Sequence, residues 1–104
     1  MQSRYVMLGE QKYSSRPENY EIEVFRAGSP DRAFTRIARL DVHFEKTHFT
    51  GSSFEDALPE LKEQARLSGA DAIIDIQERT SSVGETKIYH VTAIGVRYPE
   101  PVTK

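Results

Sequence analysis

The chain has 104 residues, 38% of them hydrophobic and 29% charged, with a formal net charge of -2. That is the composition of one ordinary globular domain, spanning 1–104, with a single core. The absence of cysteine excludes a disulfide framework, a thiolate zinc site, an iron-sulfur centre and a Cys nucleophile in this chain. Its 14 basic and 16 acidic side chains are too balanced for the electrostatic footprint of a nucleic-acid binder.

Residues 1–19 read as a flexible arm or an edge strand: the short apolar run Tyr5 to Leu8 gives way to the polar stretch Gly9 to Ser15 and then Pro17. From Tyr20 to Phe25 apolar and acidic residues alternate, so Tyr20, Ile22 and Val24 are expected on one face of a half-buried strand. Gly28, Ser29, Pro30 and Asp31 supply turn chemistry that releases the chain.

Alternation resumes from Arg36 to Glu45, with Ala38, Leu40, Val42 and Phe44 toward the core and Arg39, Asp41 and His43 toward water. Ser52 and Glu55 fit a capping box, so a helix is expected to begin there. Phe54, Leu58, Leu61 and Ala65 follow at helical spacing. Pro59 predicts a kink or a tightened first turn, and Gly69 stands where a left-handed cap is wanted.

Ala70 to Arg79 reads as a buried strand with Ala72, Ile74 and Ile76 on one face and Ile73 on the other; Ser81 to Glu85 reads as a loop, and Lys87 to Tyr98 as a central strand. Strand, helix and strand make a parallel crossover, and the last two strands a hairpin. Pro99 and Pro101 end regular pairing and leave a tail over 99–104. The expected fold is α+β, a mixed sheet of about four strands with one principal helix on one face, in the order β-β-α-β-β. No run approaches the ~20 apolar residues of a membrane span.

Asp71 and Asp75 flank Ile73, but four strand residues separate their Cα atoms by about 13 Å, beyond the roughly 5 to 9.5 Å of paired-carboxylate hydrolysis. They read as solvated or salt-bridged positions. His43, His48 and His90 are the only weak candidates for a metal and lack metal-motif spacing; ordinary imidazoles are the plainer reading. The paired serines Ser14-Ser15, Ser52-Ser53 and Ser81-Ser82 lie in no nucleophile elbow. Six scattered glycines build neither a phosphate loop nor a dinucleotide fingerprint. Arg26, Arg32, Arg36 and Arg39, interspersed with Phe25 and Phe34, are the one local concentration of basic charge. These residues assign no catalytic group, no cofactor and no enzymatic activity.

The stretch Phe54 to Ile76, above all Ala57-Leu58, Leu61-Lys62, Ala65 and Gly69-Ala70-Asp71-Ala72-Ile73-Ile74, resembles a helix-to-strand signature of small bacterial envelope proteins. The relatives are the RcsF-like outer-membrane lipoproteins and the YbjQ-like proteins labelled heavy-metal binding. Val91 to Arg97 is similar to the closing strand of that group, and Pro17 to Phe25 to the lead-in of uncharacterised lipoproteins. The resemblance implies a compact α+β module and a sensing or signalling role at the envelope.

The leading expectation is therefore a non-enzymatic interaction module with a protein partner. Membrane contact would come only through an anchor outside this sequence. The compartment is the envelope or periplasm if a signal sequence or lipid-modified cysteine precedes Met1 in the gene, and the cytoplasm otherwise. The alternative is a metal- or small-ligand-binding protein with sites between subunits of a homo-oligomer.

Overall fold

The computed structural model describes residues 2–46, 53–84 and 86–99. They form β1 (Gln2–Met7), β2 (Glu23–Val24), β3 (Thr35–Lys46), α1 (Ser53–Ser68), β4 (Ala72–Val83) and β5 (Thr86–Arg97). The strands make one mixed sheet in the order β1-β3-β5-β4-β2. β1, β3, β5 and β4 are antiparallel neighbours, and β2 runs parallel to β4. The fold is α+β, with one helix on one face of five strands.

Helix and sheet meet through the apolar residues of their facing sides. Leu61 and Ala65 of α1 are fully buried, as are Leu40 and Val42 of β3 and Val91 of β5. Acidic Glu55 and Asp56 in the first turn and Arg66 in the last complement the helix dipole. The helix runs continuously through Pro59, which lies on its exposed side, where the carbonyl that loses its donor can turn to water. Gly69, at φ +88, ends the helix: its N–H donates to the Arg66 carbonyl and that of Ala70 to the Ala65 carbonyl, the paired bonds of a Schellman cap. A side chain there would also collide with Tyr13, whose Cβ would stand 2.6 Å from the added Cβ.

Tyr13 is there because residues 13–20 cross the end of α1 and satisfy its last carbonyls. The Ser15 hydroxyl donates to Leu67 O at 2.9 Å, and the Arg16 N–H donates to Arg66 O at 2.8 Å. Arg66 returns a bond to Arg16 O at 2.9 Å. These are the orphan acceptors that every helix C-terminus presents.

The expected mixed sheet is present, and of the two readings of residues 1–19 the edge strand holds: Gln2–Met7 pairs with β3 along its length and makes a fifth strand. Two expectations about element bounds are corrected. The strand expected over Tyr20 to Phe25 shrinks to Glu23–Val24, since its partner β4 begins only at Ala72. Ser81 to Val83 belong to β4 rather than to a loop, and the hairpin closes tightly between Val83 and Thr86 with Gly84 at φ +62. β3 and β4 are parallel, as the expected crossover requires, and β5 lies between them, inserted by that hairpin.

A bulge changes which residues face the core. The register of β4 against β5 slips between Ile74 and Gln77, with Asp75 at φ +52, a left-handed conformation that Asp tolerates better than most residues. Ile74 stays on the face away from the helix with Ala72 and Val96. Ile76, expected beside it, turns to the helix side and packs on the main core. Phe25 and Phe34 cover Ala72, Ile74 and Val96 at one end of the second face. Among the described residues the rest of that face is mainly polar, with Val6 beside Arg39 and Ile88 beside Glu45 as apolar exceptions.

Candidate functional site

The uncovered part of the second face holds the densest group of functional side chains. Asp41 and His43 alternate outward from β3 while Leu40, Val42 and Phe44 are buried. Register sets His43 directly opposite His90 of β5, their ring centroids 5.7 Å apart and nearly edge to face. His90 Nε2 stands 2.6 Å from Asp41 Oδ1. With the proton on Nε2 this is a hydrogen bond to the carboxylate, and with both nitrogens protonated an ion pair. Ser3, Arg4, Asp41, His43 and His90 line a hollow of about 450 Å³.

The backbone beneath this pair is held from the helix. Gln64 is 3% exposed and reads like a second strand edge. Its Oε1 accepts from the Asp41 N–H at 3.0 Å, while its Nε2 donates to the Asp41 carbonyl at 2.9 Å and to the Ser3 hydroxyl. A buried amide so satisfied fixes its partners, so the position of Asp41 depends on α1.

His43 and His90 are thus brought together, whereas His48 lies outside the described residues, as does Ser52, the expected N-cap. No group of three or more His, Asp or Glu side chains among the described residues is arranged to hold a metal ion. Asp71 and Asp75 serve separate ends of β4. Asp75 pairs with Arg36 at the bulge. Asp71, 6% exposed, accepts from Arg16 Nη2 at 2.8 Å, from the Tyr98 N–H at 2.8 Å and from the Tyr20 hydroxyl. That last bond, with burial, raises the Tyr20 pKa above its ordinary value. Tyr98 is pushed up to about 12 by burial and by its hydrogen bond to Glu23. The Asp71 network fastens the N-terminal segment to the ends of β4 and β5.

The local arginine concentration dissolves in three dimensions. Arg26 pairs with Glu78 at 2.8 Å and lies over the Phe54 ring at 3.8 Å; Arg32 lies over Tyr98 at 3.9 Å; Arg36 is held by Asp75. Only Arg39 of the four has no partner among the described residues, and it lines a hollow of about 240 Å³ with Gln77, Glu78, Arg79, His90 and Thr92. The grouping that replaces the local one, Arg4, Arg39 and Arg79 around His90, draws on three strands. Its sequence signal is faint: Arg39, Asp41 and His43 alternate on one face of β3, but nothing in the order of residues tells which strand stands beside them.

The fold and this face define a helix-backed α+β sheet protein with one polar, cationic sheet surface. No family model matches the chain, and neither does any curated protein or solved structure.

Proposed function

We propose that the protein is a non-enzymatic interaction module that receives a partner protein at the β1 edge. The observation that carries this reading is the placement of exposed apolar side chains. Among the described residues five large hydrophobics are exposed, and three of them, Tyr5, Val6 and Leu8, at 37%, 55% and 50% exposure, lie in or just after the edge strand. An edge strand presents unpaired backbone donors and acceptors, and one bearing apolar side chains is a template for an added strand. The likeness of 54–76 and 91–97 to bacterial envelope proteins supports a place for that partnership at the cell envelope.

A photo-crosslinking side chain placed at position 6 and, separately, at the helical position 60 tests the reading in living cells that make the protein. A discrete covalent protein adduct from position 6 that is lost on adding Tyr5→Lys, with none from position 60, is the expected result. Equal adducts from both sites, or none from either, would overturn it.

The juxtaposition of His43 and His90 favours a second reading, a metal site completed by side chains of another copy. It predicts saturable amide shifts at His43 and His90 with near-stoichiometric zinc and a rise in sedimenting mass. A spectrum unchanged at tenfold excess zinc would remove it.

A further inference from the structure

The chain has nine arginines, and six are engaged. Arg16, Arg26, Arg36 and Arg66 pair with carboxylates; Arg32 covers the Tyr98 ring; Arg97 donates to the Gly69 carbonyl at 2.8 Å. The remaining three, Arg4, Arg39 and Arg79, have no hydrogen bond, ion pair or ring contact among the described residues, and all three project from the same face of the sheet. We infer that this face binds a small soluble molecule carrying two or more phosphate groups, held by Arg4, Arg39 and Arg79 with His43 and His90 between them.

The strand register lays out the site. One outward row runs His43, His90, Arg79; the next runs Arg4, Asp41, Thr92, Gln77; the third sets Arg39 beside Ile94. Strands about 4.8 Å apart and rows about 7 Å apart put the three arginine Cα atoms on the order of 8 to 17 Å from one another. That separation suits linked phosphates better than a single one. The hollows of about 450 and 240 Å³ adjoin at His90, which lines both.

Charge supports the same occupant. The acids nearest the arginines are engaged: Asp75 is ion-paired with Arg36, Glu78, which lines the smaller hollow, with Arg26, and Asp41 is bonded to His90, whose protonation offsets its charge, so none repels an incoming anion at full strength. Guanidinium groups present the planar fork that phosphate oxygens accept bidentately, and Thr92 adds a hydroxyl at the centre. Glu45, one row beyond His43, bounds the site on that side. No apolar side chain stands in the first two rows, so an apolar partner has nothing to cover there.

The test is an NMR titration of the full chain with sodium tripolyphosphate, with orthophosphate and a single-stranded oligonucleotide as parallel arms. Tripolyphosphate is expected to shift the side-chain Nε–H signals of Arg4, Arg39 and Arg79 and the amides of His43, His90 and Thr92. Orthophosphate should bind at least about tenfold more weakly, since it engages fewer guanidinium groups. Arg39→Glu and Arg79→Glu should each weaken tripolyphosphate by about tenfold or more with dispersion of the spectrum intact, while Lys62→Glu on the exposed side of α1 leaves it unchanged. No shift at tenfold excess tripolyphosphate would overturn the inference, as would shifts spread over the surface lysines or affinity indifferent to Arg39→Glu and Arg79→Glu. Tighter binding of the oligonucleotide than of tripolyphosphate would also overturn it, assigning the face to nucleic acid. The β1 edge is untouched by either substitution, so this inference and the strand-addition reading stand or fall separately.

Discussion

Leu61→Ala is expected to lower the unfolding free energy by about 3 kcal/mol, within the roughly 2 to 5 kcal/mol range for buried Leu→Ala changes. Leu61 is fully buried near the middle of the only helix among the described residues, and its side chain joins α1 to the sheet core. Removing it deletes apolar burial and leaves a cavity that a sheet held on both sides by neighbouring strands cannot collapse to fill. Leu61→Met keeps the volume and should cost less than about 1.5 kcal/mol. Leu67, 38% exposed on the same helix, should lose no more than about 0.5 kcal/mol on truncation to Ala. Urea denaturation of the three variants checks the ordering. A midpoint for Leu61→Ala equal to the parent's would mean that the helix does not rest on the sheet through this residue.

Asp71→Ala should be comparably damaging for a different reason. The carboxylate is 6% exposed and accepts from Arg16, Tyr20 and the Tyr98 N–H. Its loss strands one charged and two neutral donors at once, and Arg16 Nε is buried without a hydrogen-bond partner even in the intact protein. Breaking a buried pair by removing one member costs about 3 to 5 kcal/mol; the 20% exposure of the Arg16 side chain lets water reach it and sets the expectation near 3 kcal/mol. Asp71→Asn retains an acceptor for Tyr98 but drops the charge, and should fall between the variant and the parent. Hydrogen exchange adds a local readout: amides of residues 13–20 and the C-terminal turn of α1 should lose protection first, since Arg16 and Ser15 cap that turn. Unchanged exchange there, together with a stability loss below about 1 kcal/mol, would show that Asp71 is not the fastener of this segment.

Much of the fold is legible along the chain because it depends on local periodicity. Ala38, Leu40, Val42 and Phe44 face the core on β3 as alternation requires, and Phe54, Leu61 and Ala65 do so on α1. Gly69 ends the helix for the reason its type suggests, a backbone angle that side chains avoid. The misplacements occur where a single residue changes the phase. Nothing in Asp75 or its neighbours announces the bulge that sends Ile76 to the helix side. The extension of β4 through Ser81 to Val83 comes from pairing with β5, which overrides the loop preference of serine.

The sequence by itself determined the class of fold, the core-facing residues of β3 and α1 and the end of the helix, since these follow from a spacing of two residues along a strand, of three or four along a helix, and from the stereochemistry of one glycine. Only the tertiary structure decided the sheet order, and with it every grouping of function. His43 and His90 are 47 positions apart and meet because β5 inserts beside β3. Arg26, Arg32 and Arg36 are neighbours in sequence, yet each is claimed by a partner from another element. Arg4, Arg39 and Arg79 share a face only because β1, β3 and β4 lie in one sheet. Backbone pairing across long loops carries no local signature, because the hydrogen bonds that make it are the same for every residue.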